Sequence, residues 1–367
     1  MGRRQARRPG ANAVPVRGNS PCLAARRSGR RPLKLDCALP TTLSPPAAPA
    51  AADARAAPAR FETAAPLRFV VNAASGRHDR DETEKRIADA LAAAGRAGQV
   101  DFAPKGTLAE VAARAASAAA ADGGAIVAVG GDGTINAVAN AAWDAGCVLG
   151  VVPQGTFNYF ARTHGIPTDP DAALAALLAA SPRAVQVGRV NGHVFLVNAS
   201  LGLYPDLLED REAWKSRFGR SRLVAFGAAL ATLAGEHRRL RLAVELGGKT
   251  QLVRTQTLFV GNNRLQFEQV GLPQARAIEH GRIGAVMLKP LGSWRLLGLL
   301  LRGAIGRLGE ADTVESFAFE RMVVRPWLPA GTRIKLAYDG EVVRVRAPVV
   351  FEVAPRPLVL LLSPAAA

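Results

Sequence analysis

The 367-residue sequence is short of cysteine, of aromatic side chains and of acidic residues, and each shortage closes off a class of protein. Its three cysteines, Cys22, Cys37 and Cys147, have no paired spacing, so neither a disulfide framework nor a zinc site is expected. A reducing, cytoplasmic setting follows as the plain expectation. Aromatic residues make up only 5%, too few for the stacking platforms on which single-stranded nucleic acid is held. Long apolar runs are also missing. The greasiest stretch, Leu296–Leu301, is short and ends at Arg302, so no segment is expected to span a membrane. The basic start is not followed by an apolar run of the length a secretory signal needs.

What the chain does have is basic charge, and it is unevenly spread. The formal net charge is +17, and residues 1–60 hold 12 Lys and Arg against 2 Asp and Glu. Residues 1–64, rich in Arg, Pro and Ala, lack any sustained apolar period. They are expected to be a disordered basic tail, or an arm attracted to an anionic surface. The remainder is moderately basic, which suits a protein that handles phosphates beside an anionic membrane. Nucleic acid would also suit the charge, but much of it lies in the tail, and no nucleic-acid partner is expected.

From Pro66 the texture changes. Leu67–Asn72, Ala125–Val129 and Val148–Pro153 read as short buried strands. Helical patterns run from Glu82 to Ala94, Leu108 to Ala121, Ile135 to Trp143 and Asp171 to Ala180. Strands alternating with helices predict a parallel α/β sheet over residues 65–187, with its ligand at the carboxyl ends of the strands. Beyond Val187 the pattern is mostly β, which predicts a β-rich sandwich domain over 188–354. Helical insertions interrupt it at Arg222–His237 and Trp294–Leu308. The segment 355–367, with its apolar run Leu358–Leu362, is a candidate for an added strand in the first domain.

Three turns carry candidate chemistry, each at the carboxyl end of a predicted strand. Gly130-Gly131-Asp132-Gly133-Thr134 allows close approach of the backbone to a ligand, and its N–H groups lead into a helix N-terminus suited to phosphate. Asp132, a carboxylate in an anion-seeking turn, is explained by a magnesium ion or a ligand hydroxyl. Taken alone, the turn is equally an ordinary strand-to-helix cap. It is not a P-loop: Gly248-Lys249-Thr250 is preceded by Ala243 where the first glycine belongs, and that turn joins two strands. Nor is it a dinucleotide fingerprint, because Asn136 stands where the third glycine belongs. The other two turns are Asn72-Ala73-Ala74-Ser75-Gly76 and Gly155-Thr156-Phe157-Asn158.

Together these blocks resemble the catalytic-domain signature of diacylglycerol-kinase-like lipid kinases, a family related to sphingosine kinases. Its members show Asn-Pro-x-Ser-Gly, Gly-Gly-Asp-Gly-Thr and Gly-Thr-x-Asn-x-x-Ala-Arg; here Ala73 replaces the proline and Gly155–Arg162 matches the third block. The resemblance implies an ATP- and Mg2+-dependent kinase with an NAD-kinase- or phosphofructokinase-like nucleotide domain and a lipid-binding sandwich. It implies nucleotide contacts from Asn72, Ser75, Gly76, Gly130, Gly131, Asp132, Gly133, Thr134, Asn136, Gly155, Thr156 and Asn158, with Thr107 as one further candidate.

Asp339-Gly340-Glu341, by itself a hairpin turn, corresponds to the family's catalytic carboxylates. Glu341 is then the proton acceptor and Asp339 its partner. Asp132, Glu341 and Glu279 are the metal candidates. Glu279-His280-Gly281 departs from the family's Asp-Asp-Gly, and imidazole suits magnesium badly. The late helix Trp294–Arg302, aromatic and flanked by arginine, would meet a membrane surface or pack as core. The implied partner is a lipid substrate, reached by peripheral contact with the inner face of the membrane; a homodimer is compatible. A kinase for a soluble acceptor and a non-catalytic nucleotide-binding paralogue are the competing readings.

Overall fold

The computed structural model describes residues 61–73, 80–202, 239–292, 306–328 and 332–364, with the further single positions 295, 298, 299 and 302. The basic tail up to residue 60, Ser75 and Gly76, the insertion Arg222–His237 and most of Trp294–Leu308 lie outside them.

The first part of the chain alternates β1 (Leu67–Asn72), α1 (Arg80–Ala93), β2 (Gly98–Ala103), α2 (Leu108–Asp122), β3 (Ala125–Gly130), α3 (Asp132–Ala145) and β4 (Val148–Pro153). Short helices α4 (Tyr159–Thr163) and α5 (Pro170–Leu178) and a strand β5 (Ser181–Val185) follow. The strands β1 to β4 pair in parallel in the order β2-β1-β3-β4. Every residue of β3 and β4 is buried, as continuous apolar strands covered on both faces must be. The period of two divides the side chains. Phe69, Val127, Val129 and Val152 pack under α1 and α5 with Ile87, Leu91, Leu174 and Leu177. On the other face Val70, Ile126, Ala128 and Val151 pack under α2 and α3. Small side chains at Ala112, Ala115, Ala116 and Ala119 let α2 lie closely against Val138, Ala139 and Ala142 of α3.

The sheet is mixed rather than purely parallel. The strand β18 (Leu358–Leu362) lies between β4 and β5, parallel to the first and antiparallel to the second. The sequence reading also passed over β2, whose Gly98-Gln99-Val100-Asp101 pattern is that of an edge strand, exposed at Gly98 and Gln99 and half-buried at Val100 and Asp101. A third difference bears on the site. The helix α3 begins at Asp132, with Gly131 as its N-cap, rather than at Ile135. Glycine is costly inside a helix but tolerated in its first turn, so Gly133 read as turn although it is already helix.

Among the described residues the β-rich part holds two six-stranded sheets. One runs β10 (Lys249–Thr255), β9 (Leu240–Leu246), β14 (Arg321–Pro326), β17 (Val349–Val353), β6 (Gly188–Val190), β7 (His193–Phe195). The other runs β13 (Val314–Phe319), β12 (Ile283–Leu288), β11 (Thr257–Gly261), β8 (Asn198–Gly202), β15 (Arg333–Tyr338), β16 (Glu341–Arg346). Both are antiparallel. They share one core, with Phe195, Leu242, Val244, Met322 and Phe351 from the first meeting Leu201, Leu258, Ile283 and Leu336 from the second. Two short helices, α6 (Arg264–Gln269) and α7 (Ala275–Glu279), join β11 to β12. Three tight hairpins among the described residues have two positive-φ residues, Asn191-Gly192 between β6 and β7, Gly247-Gly248 between β9 and β10 and Asp339-Gly340 between β15 and β16, as the right-handed twist of paired strands favours. Among the described residues no helix is long and apolar enough to cross a membrane.

Candidate active site

The strand order decides where a ligand can enter. From β1 the chain moves out to β2, then returns to the other side of β1 as β3. Crossovers therefore leave in opposite directions between β1 and β3, which opens a crevice at their carboxyl ends. Asn72 ends β1 and Gly130 ends β3 at that crevice, and Asn72 Nδ2 donates to Thr134 Oγ1 across it at 3.2 Å. Thr134 is buried against Gly130, where an added Cβ would come within 2.7 Å of the threonine hydroxyl. The hydroxyl is thus used in holding the turn together.

The turn after β4 packs onto the turn after β3. A Cβ on Gly155 would lie 3.0 Å from Gly131 Cα and 2.7 Å from Asn158 Oδ1, so two backbones touch where side chains would part them. Asn158, buried with φ of 48°, closes its own loop. Its Oδ1 accepts from Gly155 N–H at 2.9 Å and its Nδ2 donates to the Gly155 carbonyl at 2.9 Å. That side chain holds the loop and is not turned to a ligand. Thr156 and Phe157, at the loop's tip, are exposed, with Phe157 stacked on Tyr159 at 5.8 Å.

Asp132 joins the two turns. Its Oδ2 accepts from the Asn158 N–H at 3.1 Å, so the carboxylate caps the start of α4. Burial raises its pKa, against the pull of backbone N–H groups at Asn158, Tyr159 and Phe160. The other oxygen, Oδ1, is buried and has no hydrogen-bond partner. An ionised oxygen left bare costs free energy that a cation or donor from a ligand would recover. Around it the N–H groups of the first turn of α3 have no acceptor within the helix, whose first backbone bond here runs from Ile135 N–H to the Gly131 carbonyl. A Cβ on Gly133 would meet nothing within 4 Å, so this side of the turn is open. The turn can therefore hold phosphate oxygens, and Asp132 a magnesium ion beside them.

The other expected residues do not all gather here. Asn136 is buried and faces the β-rich part, its Nδ2 donating to Asp339 Oδ2 at 2.6 Å and to the Val194 carbonyl at 3.1 Å. It supports the turn from one helical turn away. Asp339 is buried too. Its carboxylate accepts from Leu196 N–H at 2.6 Å, Val197 N–H at 2.9 Å and Asn198 N–H at 2.9 Å, besides Asn136. Burial pushes its pKa up to about 6 against those four donors, which leaves it ionised at neutral pH. With four donors on two oxygens it has no lone pair left for a metal or, at neutral pH, for a substrate proton, and the expectation that it assists the base directly gives way to a structural role.

Glu341, two residues on, is exposed at the start of β16. It lies beside Tyr338, whose pKa is raised first by burial and then by the charges of Glu341 and Asp339. Tyr338 in turn stacks on His193 at 5.9 Å. Glu341 is thus a free carboxylate at a fixed hairpin tip.

The metal candidate Glu279 is elsewhere. It pairs with Arg264 on the rim of a cleft of about 560 Å3 lined by Phe160, His164, Gln186 and Asn263, at the opposite end of α4 from Asp132. Its oxygen is engaged by a guanidinium, and among the described residues no three His, Cys, Asp or Glu side chains converge. His280 is exposed, with Nδ1 2.7 Å from the Arg276 carbonyl. Thr107, the further nucleotide candidate, bonds to the Pro104 carbonyl at the start of α2.

Sequence reasoning did not single out Asn140. Its Nδ2 donates to the Val194 carbonyl at 2.9 Å and its Oδ1 accepts from the Val194 N–H at 2.8 Å. An amide four residues beyond Asn136 on an otherwise apolar helix face was the available signal.

Residues 66–190 match the family model described as the diacylglycerol kinase catalytic domain. This segment belongs to the diacylglycerol kinase catalytic-domain family. The segment contains β1 to β4, the two glycine turns and Asp132, and stops before Glu341. The whole fold is similar to that of a diacylglycerol kinase from Bacillus anthracis str. Sterne, with 18% identity, 82% of this chain and 98% of that chain covered, and a TM-score of 0.61. A second crystal structure from the same strain, of a candidate diacylglycerol kinase, has 19% identity, the same coverage and a TM-score of 0.61.

Proposed function

We propose that the protein is a lipid kinase that transfers the γ-phosphoryl group of ATP to a lipid hydroxyl, with diacylglycerol or a related lipid as acceptor. The observation that carries this reading is the unpartnered Asp132 oxygen at the first turn of α3, inside a segment that matches the diacylglycerol kinase catalytic domain. The N–H groups of Gly133 and Thr134 receive phosphate oxygens, and the glycines of the two abutting turns let the nucleotide approach the backbone. When bound to Asp132, magnesium supplies positive charge that offsets the charge on the phosphates.

Glu341 accepts the proton of the lipid hydroxyl as its oxygen bonds to the γ-phosphorus and the bond to the β–γ bridging oxygen breaks. Phosphoryl transfer passes through a loose transition state that asks little of the base, so an exposed carboxylate of ordinary strength suffices. Positioning and charge neutralisation do the rest. The acceptor class rests on the family and on the names of the structural relatives. The net charge of +17 favours peripheral contact with an anionic membrane face.

The test is incubation with labelled ATP and magnesium, offering diacylglycerol, other lipid alcohols, NAD and a sugar phosphate side by side. Transfer to a lipid and its loss in Asp132→Ala and Glu341→Ala are expected. Labelling of NAD or the sugar phosphate alone would overturn the lipid assignment, and activity surviving both substitutions would discard this site.

A further inference from the structure

One face of α3 is stitched to the β-rich part. Asn136 and Asn140, one helical turn apart, share the Val194 carbonyl, and Asn140 also accepts the Val194 N–H. Trp143, the next residue along that face, donates Nε1–H to the Arg356 carbonyl at 3.3 Å, with the Arg356 guanidinium 4.3 Å from its ring centroid. At the end nearest the phosphate turn, Asn136 reaches Asp339. Asp339 is also the point to which the N–H groups of Leu196, Val197 and Asn198 converge, and its own N–H returns to the Asn198 carbonyl at 2.9 Å. One carboxylate thus ties the β7–β8 connection, the β15–β16 hairpin and α3 together.

That junction has Asp132 on one side and Glu341 on the other. Asp132 is four residues before Asn136, about 6 Å along a rigid helix. Glu341 is two residues after Asp339 on a tight turn. Taking the kinase reading as its basis, we propose that Asn136 and Asp339 form a clasp that sets where Glu341 stands relative to the phosphate turn. Both are positioning residues for the transfer. Neither touches the nucleotide or the acceptor. The clasp acts through geometry, and a displacement of about 1 Å in a reacting group costs up to about 100-fold in rate.

The hydrogen-bond polarity of the pair supplies the test. Asn136→Asp sets two carboxylates against each other, and Asp339→Asn sets an amide donor against Asn136 and the Leu196 N–H. The double substitution restores a donor–acceptor pair in reverse. Each single variant is expected to lower kcat for transfer to dioctanoylglycerol by tenfold or more, about 1.4 kcal/mol, with KM for ATP changed by less than about twofold. The swapped double variant should regain part of that loss, because the Leu196 N–H still faces an amide donor and the Val194 carbonyl then faces a carboxylate. A second readout needs no substrate: amide hydrogen exchange in a peptide spanning 194–200 should speed up in each single variant and slow again in the double.

Unchanged kcat in Asn136→Asp, or a double variant no better than the worse single, would sink the clasp as a positioning device. So would unchanged exchange at 194–200. If Asp339→Asn does not fold, Asn136→Ser, which removes the amide without adding charge, carries the same expectations for kcat and exchange. If wild-type protein labels no lipid at all, the kinase reading fails while the exchange experiment still decides the clasp.

Discussion

The Gly130–Thr134 turn and the Asp339–Glu341 turn each set an aspartate beside glycine, and each aspartate has its pKa raised by burial. Their surroundings then diverge. Asp132 sits where a parallel strand hands over to a helix, with one oxygen capping α4 and the other bare. Asp339 sits at φ of 43° in a hairpin and has four donors on its two oxygens. A carboxylate left short of partners is prepared for a ligand, whereas one that is saturated holds the protein together. Residue type and motif are alike in the two turns; hydrogen-bond accounting separates them.

The largest expected effect tests that separation directly. Asp339→Ala leaves three backbone N–H groups buried without their acceptor and takes one of the two acceptors from the Asn136 amide, and should destabilise the fold by about 3–5 kcal/mol in urea denaturation. Asp132→Ala removes a helix cap and a bare oxygen, and should cost only about 1 kcal/mol while abolishing transfer. Equal destabilisation by the two would break the comparison.

Next comes Glu341→Gln. It should lower kcat by about 100-fold, roughly 2.7 kcal/mol, with the urea midpoint unmoved, because the side chain is exposed. The glycines sharpen the contrast at smaller magnitude. Gly340, at φ of 92°, should cost about 1–2 kcal/mol of stability when replaced by Ala. Gly133 has open space beside it, so Gly133→Ala should keep or slightly raise the melting temperature, by about 0.5–1 kcal/mol of helix propensity, yet weaken ATP binding in calorimetry.

The effect that is smallest at neutral pH comes from a histidine. Burial lowers His164, packed edge-on against Phe160, to about 4, below its ordinary 6.5. The unfolded chain binds this proton first, so the stability contributed by neutral His164 is complete above pH 6.5 and is lost as pH falls towards 4. His164→Gln should flatten the acid limb of the stability profile by at most about 3.4 kcal/mol between those limits. Asp339, shifted upward to about 6, acts in the opposite sense, gaining protons in the folded state between about 6 and 4. The comparison of variant with wild type isolates the histidine.

Much of this was legible in the residues. Continuous apolar runs marked β1, β3 and β4, Gly247-Gly248 and Asp339-Gly340 marked two hairpins, and the blocks at Asn72–Gly76, Gly130–Thr134 and Gly155–Arg162 carried the family resemblance. The edge strand β2 was not legible, because a strand that begins Gly98-Gln99 and is only half-buried at Val100 and Asp101 has little apolar signal. The start of α3 was obscured by Gly133. The roles of Asn136, Asn158 and Asp339 were not legible either: whether a polar side chain faces a ligand or its own backbone depends on partners up to 203 residues away.

Local pattern, then, determined most of the order of strands and helices, the glycine turns and a candidate phosphate site, since these depend on periodicity and backbone freedom within a few residues. Only the tertiary structure decided that β18 returns between β4 and β5, that the crevice opens between β1 and β3, and that Glu279 stands apart with Arg264. It also divided the two aspartates into one with an unpartnered oxygen and one fully bound. That division depends on which donors are brought within 3 Å by packing, and packing joins residues that sequence keeps apart.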